Sequence, residues 1–200
     1  FKSQETLVVL AFSGGGTRAA AFSYGVLEFL QKTVVVAPNG DKLRLIDAVD
    51  MITGVSGGSF TALAYGLYGE KLFADYEQRF LKRDVQGELV ARALNPRYWP
   101  DYIGGAAGRS ELAANYYDEI LFNGATFGDL DRGSGPYIVA SATDISSLIT
   151  FSTGTISKKP EVGLGVAGTK TQTTLRPVLA RTSSCCSLVM KPIEYAPACG

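Results

Sequence analysis

Histidine is absent from the sequence. A serine hydroxyl is a weak nucleophile until a neighbour takes its proton, and in the common catalytic triad that neighbour is an imidazole. A Ser–His–Asp hydrolase is therefore excluded for this chain. Cysteine is scarce and misplaced: Cys185, Cys186 and Cys199 are the only three, odd in number and two of them adjacent. That is a poor disulfide framework, and it lacks the spaced pairs plus histidine of a zinc site, so no metal is expected. No apolar run approaches the roughly 20 residues of a membrane span. Net charge is missing as well, with 19 basic residues against 19 acidic. No overall field steers the chain toward DNA or anionic lipid, and no nucleic-acid partner is expected. The N-terminus has no charged-then-apolar signal segment, and it opens on Phe1 instead of Met. A processed or incomplete N-terminus is the expectation there, which leaves export open.

What is present describes a globular chain, with 46% hydrophobic and 19% charged residues over 200 positions. That length suits one domain, or most of one. Its organising stretch is Met51-Ile52-Thr53-Gly54-Val55-Ser56-Gly57-Gly58. An apolar strand runs into a Gly-Val-Ser-Gly-Gly turn, followed by Phe60, Leu63, Ala64, Leu67 and Tyr68 at helical spacing. A strand-to-helix turn this tight is a nucleophile elbow, in which a strained serine points its hydroxyl out of the sheet. Gly54, Gly57 and Gly58 surround Ser56 because side chains there would collide with the turn or block a substrate. With no imidazole available, the base for Ser56 must be a carboxylate, a lysine or a group off the chain.

Upstream, Leu7 to Phe12 is a continuous apolar run, the pattern of a strand buried on both faces of a parallel sheet. It leads into Ser13-Gly14-Gly15-Gly16-Thr17-Arg18 and then a helix in which Phe22, Val26, Phe29 and Leu30 share a face. Strand, glycine loop and helix N-terminus gather backbone N–H groups toward an anion. The string also fits a dinucleotide fingerprint through Gly14, Gly16 and Ala19, but the acid expected about 20 residues later is replaced by Val34 to Gly40. Acyl transfer makes better use of the loop, since a tetrahedral intermediate needs N–H donors aimed at its oxyanion. Arg18 either holds that loop in shape, attracts an anionic head group, or caps a surface.

Further helices are predicted over Leu72–Lys82, Gln86–Asn95 and Glu111–Phe122, the last opened by Ser110 as N-cap. Arg97, Tyr98, Trp99 and Tyr102 form either an aromatic lip or a packed loop. Pro136 to Asp144 reads as another buried strand with Ser147–Ser152 as its partner, and Asp144 as a turn residue. Strands alternating with helices argue an α/β architecture with a mainly parallel central sheet covered on both faces. After Ser152 the character changes. Of twenty-one aromatic residues only Tyr195 lies beyond it, together with half of the prolines, and the acids there number two, Glu161 and Glu194. Residues 1–152 read as an incomplete folded core and 153–200 as a poorly specified tail.

Taken together, Gly14-Gly15-Gly16-Thr17-Arg18, Gly54-Val55-Ser56-Gly57-Gly58 and Ala142-Thr143-Asp144 make the chain resemble the patatin-like phospholipase family, over about residues 5 to 152. The resemblance implies a three-layer α/β/α patatin-like fold and hydrolysis of lipid or phospholipid acyl esters, without metal or cofactor, by a Ser–Asp dyad. It makes Ser56 the nucleophile and places the oxyanion hole in Gly14, Gly15 and Gly16, chiefly the backbone of the last two. It also implies peripheral membrane contact. The family carries its catalytic aspartate in an Asp-Gly-Gly or Asp-Gly-Ala step, and no Asp-Gly step occurs here. Asp144 matches the family's other, non-catalytic aspartate, so no acid partner is assigned. The expectation is a chain of little or no activity as given, from a shifted or truncated frame. The competing reading is an inactive patatin-like fragment that binds lipid or protein.

Overall fold

A computed structural model describes residues 7–37, 39–98, 109–130, 135–144 and 149–154. Of the tail only Thr153 and Gly154 are described; the rest, with its cysteines, and Trp99 and Tyr102 lie outside the described residues. At the centre is a four-stranded sheet in the order β1 (Val9–Phe12), β4 (Met51–Val55), β5 (Tyr137–Asp144), β6 (Ile149–Gly154). The first three are parallel, with Leu10 opposite Ile52 and Ile52 opposite Ile138, and β6 returns antiparallel to β5. Asp50 fastens the N-terminal end of this sheet. Its Oδ2 accepts from Val8 N at 3.0 Å, its N donates to Val8 O at 3.0 Å, and its O accepts from Tyr137 N at 2.8 Å.

Helix α1 (Gly16–Lys32) leaves β1 and α2 (Gly57–Tyr68) leaves β4. Helix α2 lies on β1, β4 and β5, and α1 packs along α2. Each parallel step moves the same way along the sheet, and right-handed crossovers then bring both helices to one face. Ile52, Gly54, Ile138 and Ala140 are buried beneath them. A mainly parallel sheet flanked by helices is the core of the expected α/β/α arrangement. The expectation for β1 needs correction, because it is not buried on both faces. Phe12 is buried, but Val9 is 43% exposed and Ala11 is exposed too, since among the described residues β1 has one strand neighbour, β4, and α2 covers only the face that carries Phe12.

The face of α1 also differs from expectation. Ala20, Ser23, Tyr24 and Leu27 are its buried residues, whereas Phe22 and Phe29 point outward. The Gly16–Gly57 contact holds the start of α1 against α2 with the Ala20, Ser23, Tyr24 and Leu27 side inward, so Phe22 and Phe29, on the opposite side, stay outside. The seam is fixed by Thr61, fully buried, whose Oγ1 donates to Ala20 O at 3.0 Å and shares a 2.9 Å hydrogen bond with Tyr76 Oη. Burial pushes the Tyr76 hydroxyl well above its ordinary pKa, which keeps it neutral, while the Thr61 bond pulls the other way. Thr61→Val keeps the shape but strips these partners of their bond. Its expected cost is about 1–3 kcal/mol. Urea denaturation should show it, with Thr61→Ser nearer the parent; a valine variant as stable as the parent would remove this network from the account.

A hairpin not anticipated in the sequence follows α1. Strand β2 (Val34–Val36) pairs antiparallel with β3 (Lys42–Arg44), and a 3₁₀ turn over Leu45–Ala48 leads into β4. Beyond α2, helix α3 (Leu72–Tyr76) widens into a π-turn over Glu77–Leu81, then α4 (Val85–Leu94) follows with Asp84 as its cap. Helix α5 (Arg109–Tyr117) likewise ends in a π-turn, Asp118–Phe122. Ser110 falls inside α5 rather than capping it, since the helix is already under way at Arg109. The two π-turns meet against α2, where Phe60 packs on Tyr117 at 4.5 Å, Phe80 at 5.7 Å and Phe122 at 6.4 Å. The start of α2 therefore rests on an aromatic floor.

Candidate functional site

Ser56 sits between the last residue of β4 and the first of α2, with φ 50° and ψ −121°. Among the described residues only Ser56 and Asn123 are non-glycine with positive φ. Asn123 has an ordinary reason, ending the preceding helical turn in the left-handed conformation. Ser56 does not, because its ψ lies outside the left-handed helical well. Holding such a residue costs on the order of 1–3 kcal/mol and persists only where the surroundings impose it.

The surroundings that impose it are the predicted glycines. A Cβ on Gly54 would lie 2.7 Å from the Cα and N of Ser59, so the strand end and the first turn of α2 are in backbone contact. On Gly58 it would lie 2.7 Å from Phe12 Cβ and 2.8 Å from Phe12 O and Ser13 O. On Gly57 it would lie 2.1 Å from Gly16 O. The elbow is thus pressed against the end of β1 and the start of α1. Ser59 N donates to Ser56 O at 2.9 Å to begin the helix, and the Ser56 side chain makes no capping bond to it.

The glycine loop comes to the same place. A Cβ on Gly14 would lie 3.3 Å from Ser56 Cβ and 3.6 Å from Val55 O, so the loop runs directly beside the serine. Gly15 adopts φ 142° and Gly16 φ 65°, conformations that side chains resist. Gly15 occupies the N-cap of α1 and supplies no side-chain oxygen to the helix's first N–H groups. Two helix N-termini, those of α1 and α2, converge on the serine with their positive dipole ends. The seven residues Gly14, Gly15, Gly16, Gly54, Ser56, Gly57 and Gly58 therefore form one contiguous structure. Arg18 lies in the first turn of α1, exposed, and pairs with no acid among the described residues. Sequence reading saw two glycine motifs with separate reasons; their direct contact, Gly57 on Gly16, carried no signal beyond the run of small residues.

Several of the described carboxylates have partners elsewhere. Asp50 holds Val8, Asp47 and Glu70 hold Arg44, and Glu28 pairs with Lys32. Glu88 is held below its usual range first by its hydrogen bond to Arg83, and it accepts from Tyr116 Oη at 2.8 Å. Asp144 closes β5, three residues past Ser141, the register partner of Val55. No group of three or more metal-ligating side chains occurs among the described residues.

No curated protein sequence matches the chain. Among solved structures, a human GIVD cytosolic phospholipase A2, in complex with methyl gamma-linolenyl fluorophosphonate inhibitor and terbium chloride, aligns at 22% identity and a TM-score of 0.47. That alignment covers 77% of this chain and 24% of the phospholipase, so the chain spans about a quarter of its neighbour's length. The sequence model of the family described as patatin-like phospholipase matches residues 10–183, from within β1 through both glycine motifs and on past the last described strand. With that match over most of its length, the chain belongs to the patatin-like phospholipase family, a family of lipid acyl hydrolases.

Proposed function

We propose that the chain is the serine-bearing portion of a lipid acyl hydrolase, with Ser56 as nucleophile. The observation that carries the reading is the conformation of Ser56, strained at φ 50° at the turn from β4 into α2, beside a glycine loop so close that a Cβ on Gly14 would lie 3.3 Å from Ser56 Cβ. In the reaction Ser56 Oγ attacks the ester carbonyl carbon and its proton passes to a base. The carbonyl oxygen takes up negative charge, and the backbone N–H groups of Gly15 and Gly16 supply hydrogen bonds to it. The carbonyl then reforms, the alcohol leaves with a proton, and water releases the fatty acid from Ser56. Arg18, exposed in the first turn of α1 and without an acid partner among the described residues, offers a cation to a phosphate head group near the loop. The base is the aspartate of a Ser–Asp dyad on the family pattern, a residue that stays unassigned. Substrate access from a membrane surface belongs to this reading.

A second reading has an observation of its own. The acids Asp47, Asp50, Glu70 and Glu88 are all engaged away from Ser56, which suits a scaffold that holds a lipid or a protein without hydrolysing an ester. A fluorophosphonate probe separates the two. An activated serine is labelled, and peptide mapping should place the adduct on Ser56. A folded chain that stays unlabelled through prolonged incubation would favour the binding scaffold.

A further inference from the structure

Helix α1 carries a stripe that the proposed chemistry does not use. Arg18, Phe22, Gly25, Phe29 and Lys32 follow at spacings of four, three, four and three, which places them along one side of the helix, opposite Ala20, Ser23 and Leu27. Phe22 is 74% exposed and Phe29 62%. The helix then turns at Thr33, whose N and Oγ1 both bond Phe29 O, into β2, where Val34 and Val36 share one side and are 52% and 68% exposed. Two bare phenylalanines on the helix, followed directly in the chain by exposed Val34 and Val36, put more large apolar side chains outside the core in one short segment than singly scattered surface residues would. The charged members of the stripe are cationic, Arg18 at one end and Lys32 at the other, and Glu28 at the margin is paired with Lys32 at 2.8 Å.

We propose that this stripe, with β2, is the face on which the protein lies against a phospholipid surface. The proposal rests on the lipid-hydrolase reading for its direction, because the stripe ends at Arg18, two residues from Gly16 of the loop beside Ser56. A lipid leaving the surface at that end meets the loop first. The chemistry is that of an interfacial helix: rings enter the boundary between head groups and acyl chains while flanking cations stay among the phosphates. With equal numbers of acidic and basic residues overall, attachment depends on the rings more than on charge.

Co-sedimentation with vesicles of phosphatidylcholine containing phosphatidylserine tests this on the 200-residue chain. The parent should partition to the vesicles. Phe22→Ser and Phe29→Ser should each weaken partitioning about tenfold and together about a hundredfold, in line with the apolar area removed. Both rings are exposed, so thermal melting should change little. Ser56→Ala should bind as the parent does, which separates failure of this docking face from failure of the proposed chemistry. Phe29→Trp gives a second reading against the parent, whose only tryptophan is Trp99: its emission should shift to the blue on adding vesicles. A parent that stays in the supernatant, or serine variants that partition equally well, overturns the proposal. So does a Phe29→Trp emission already blue-shifted without lipid, which would mean that the chain itself or a second copy covers the stripe.

Discussion

Ser56→Ala is expected to abolish fluorophosphonate labelling and to reduce any ester turnover by on the order of 10⁴-fold or more, because deleting a nucleophile leaves only oxyanion-hole and binding effects. The fold should survive. Alanine keeps the Cβ that already tolerates φ 50°, and the serine hydroxyl makes no capping bond that α2 would miss. Turnover of short p-nitrophenyl esters and thermal melting, measured together, check both halves. Ser56→Gly sharpens the interpretation: it also deletes the hydroxyl, but it releases the backbone strain and should raise stability by about 1 kcal/mol. An alanine variant that hydrolyses esters at the parental rate would remove Ser56 from the mechanism. A glycine variant less stable than the alanine one would mean that the strain inferred from the dihedral angles is not there.

Much of this arrangement was legible in the sequence because local signals and fold agreed. The strand–glycine–helix order at Phe12–Gly16 and Val55–Gly57 encodes both turns, and parallel strands follow from helices placed between them. The α1 face was not legible, since hydropathy gives Phe22 and Phe29 to the core. What overrides it is the backbone contact between Gly16 and Gly57, together with the Thr61–Ala20 hydrogen bond, and these turn the side of α1 that carries Ala20, Ser23, Tyr24 and Leu27 to the core. Tertiary approach of this kind leaves only small residues as a trace. The β2–β3 hairpin did leave a signal, three consecutive valines before Asn39-Gly40. The proton acceptor for Ser56 left none, because the family's Asp-Gly step does not occur.

The seam between α1 and α2 sets up the last and largest stability effect. Gly57→Ala should cost several kcal/mol, a large share of the roughly 5–15 kcal/mol by which a domain is stable, and Gly57→Val should prevent folding. The added Cβ would stand 2.1 Å from Gly16 O, 2.9 Å from Gly16 C and 3.1 Å from Gly16 N. All three are backbone atoms, so no side chain can rotate away, and relief requires α1 to move off α2. That movement would break the bond from Thr61 to Ala20 O and carry the glycine loop away from Ser56. Gly25 supplies the control within the same helix. Nothing lies within 4 Å of a Cβ there, so Gly25→Ala should gain about 0.5–1 kcal/mol from helix propensity alone. Chemical denaturation of the two alanine variants should therefore move the midpoint in opposite directions. If Gly57→Ala unfolds at the parental midpoint, the two helix starts are not in contact, and the geometry assigned to the serine and its loop fails with it.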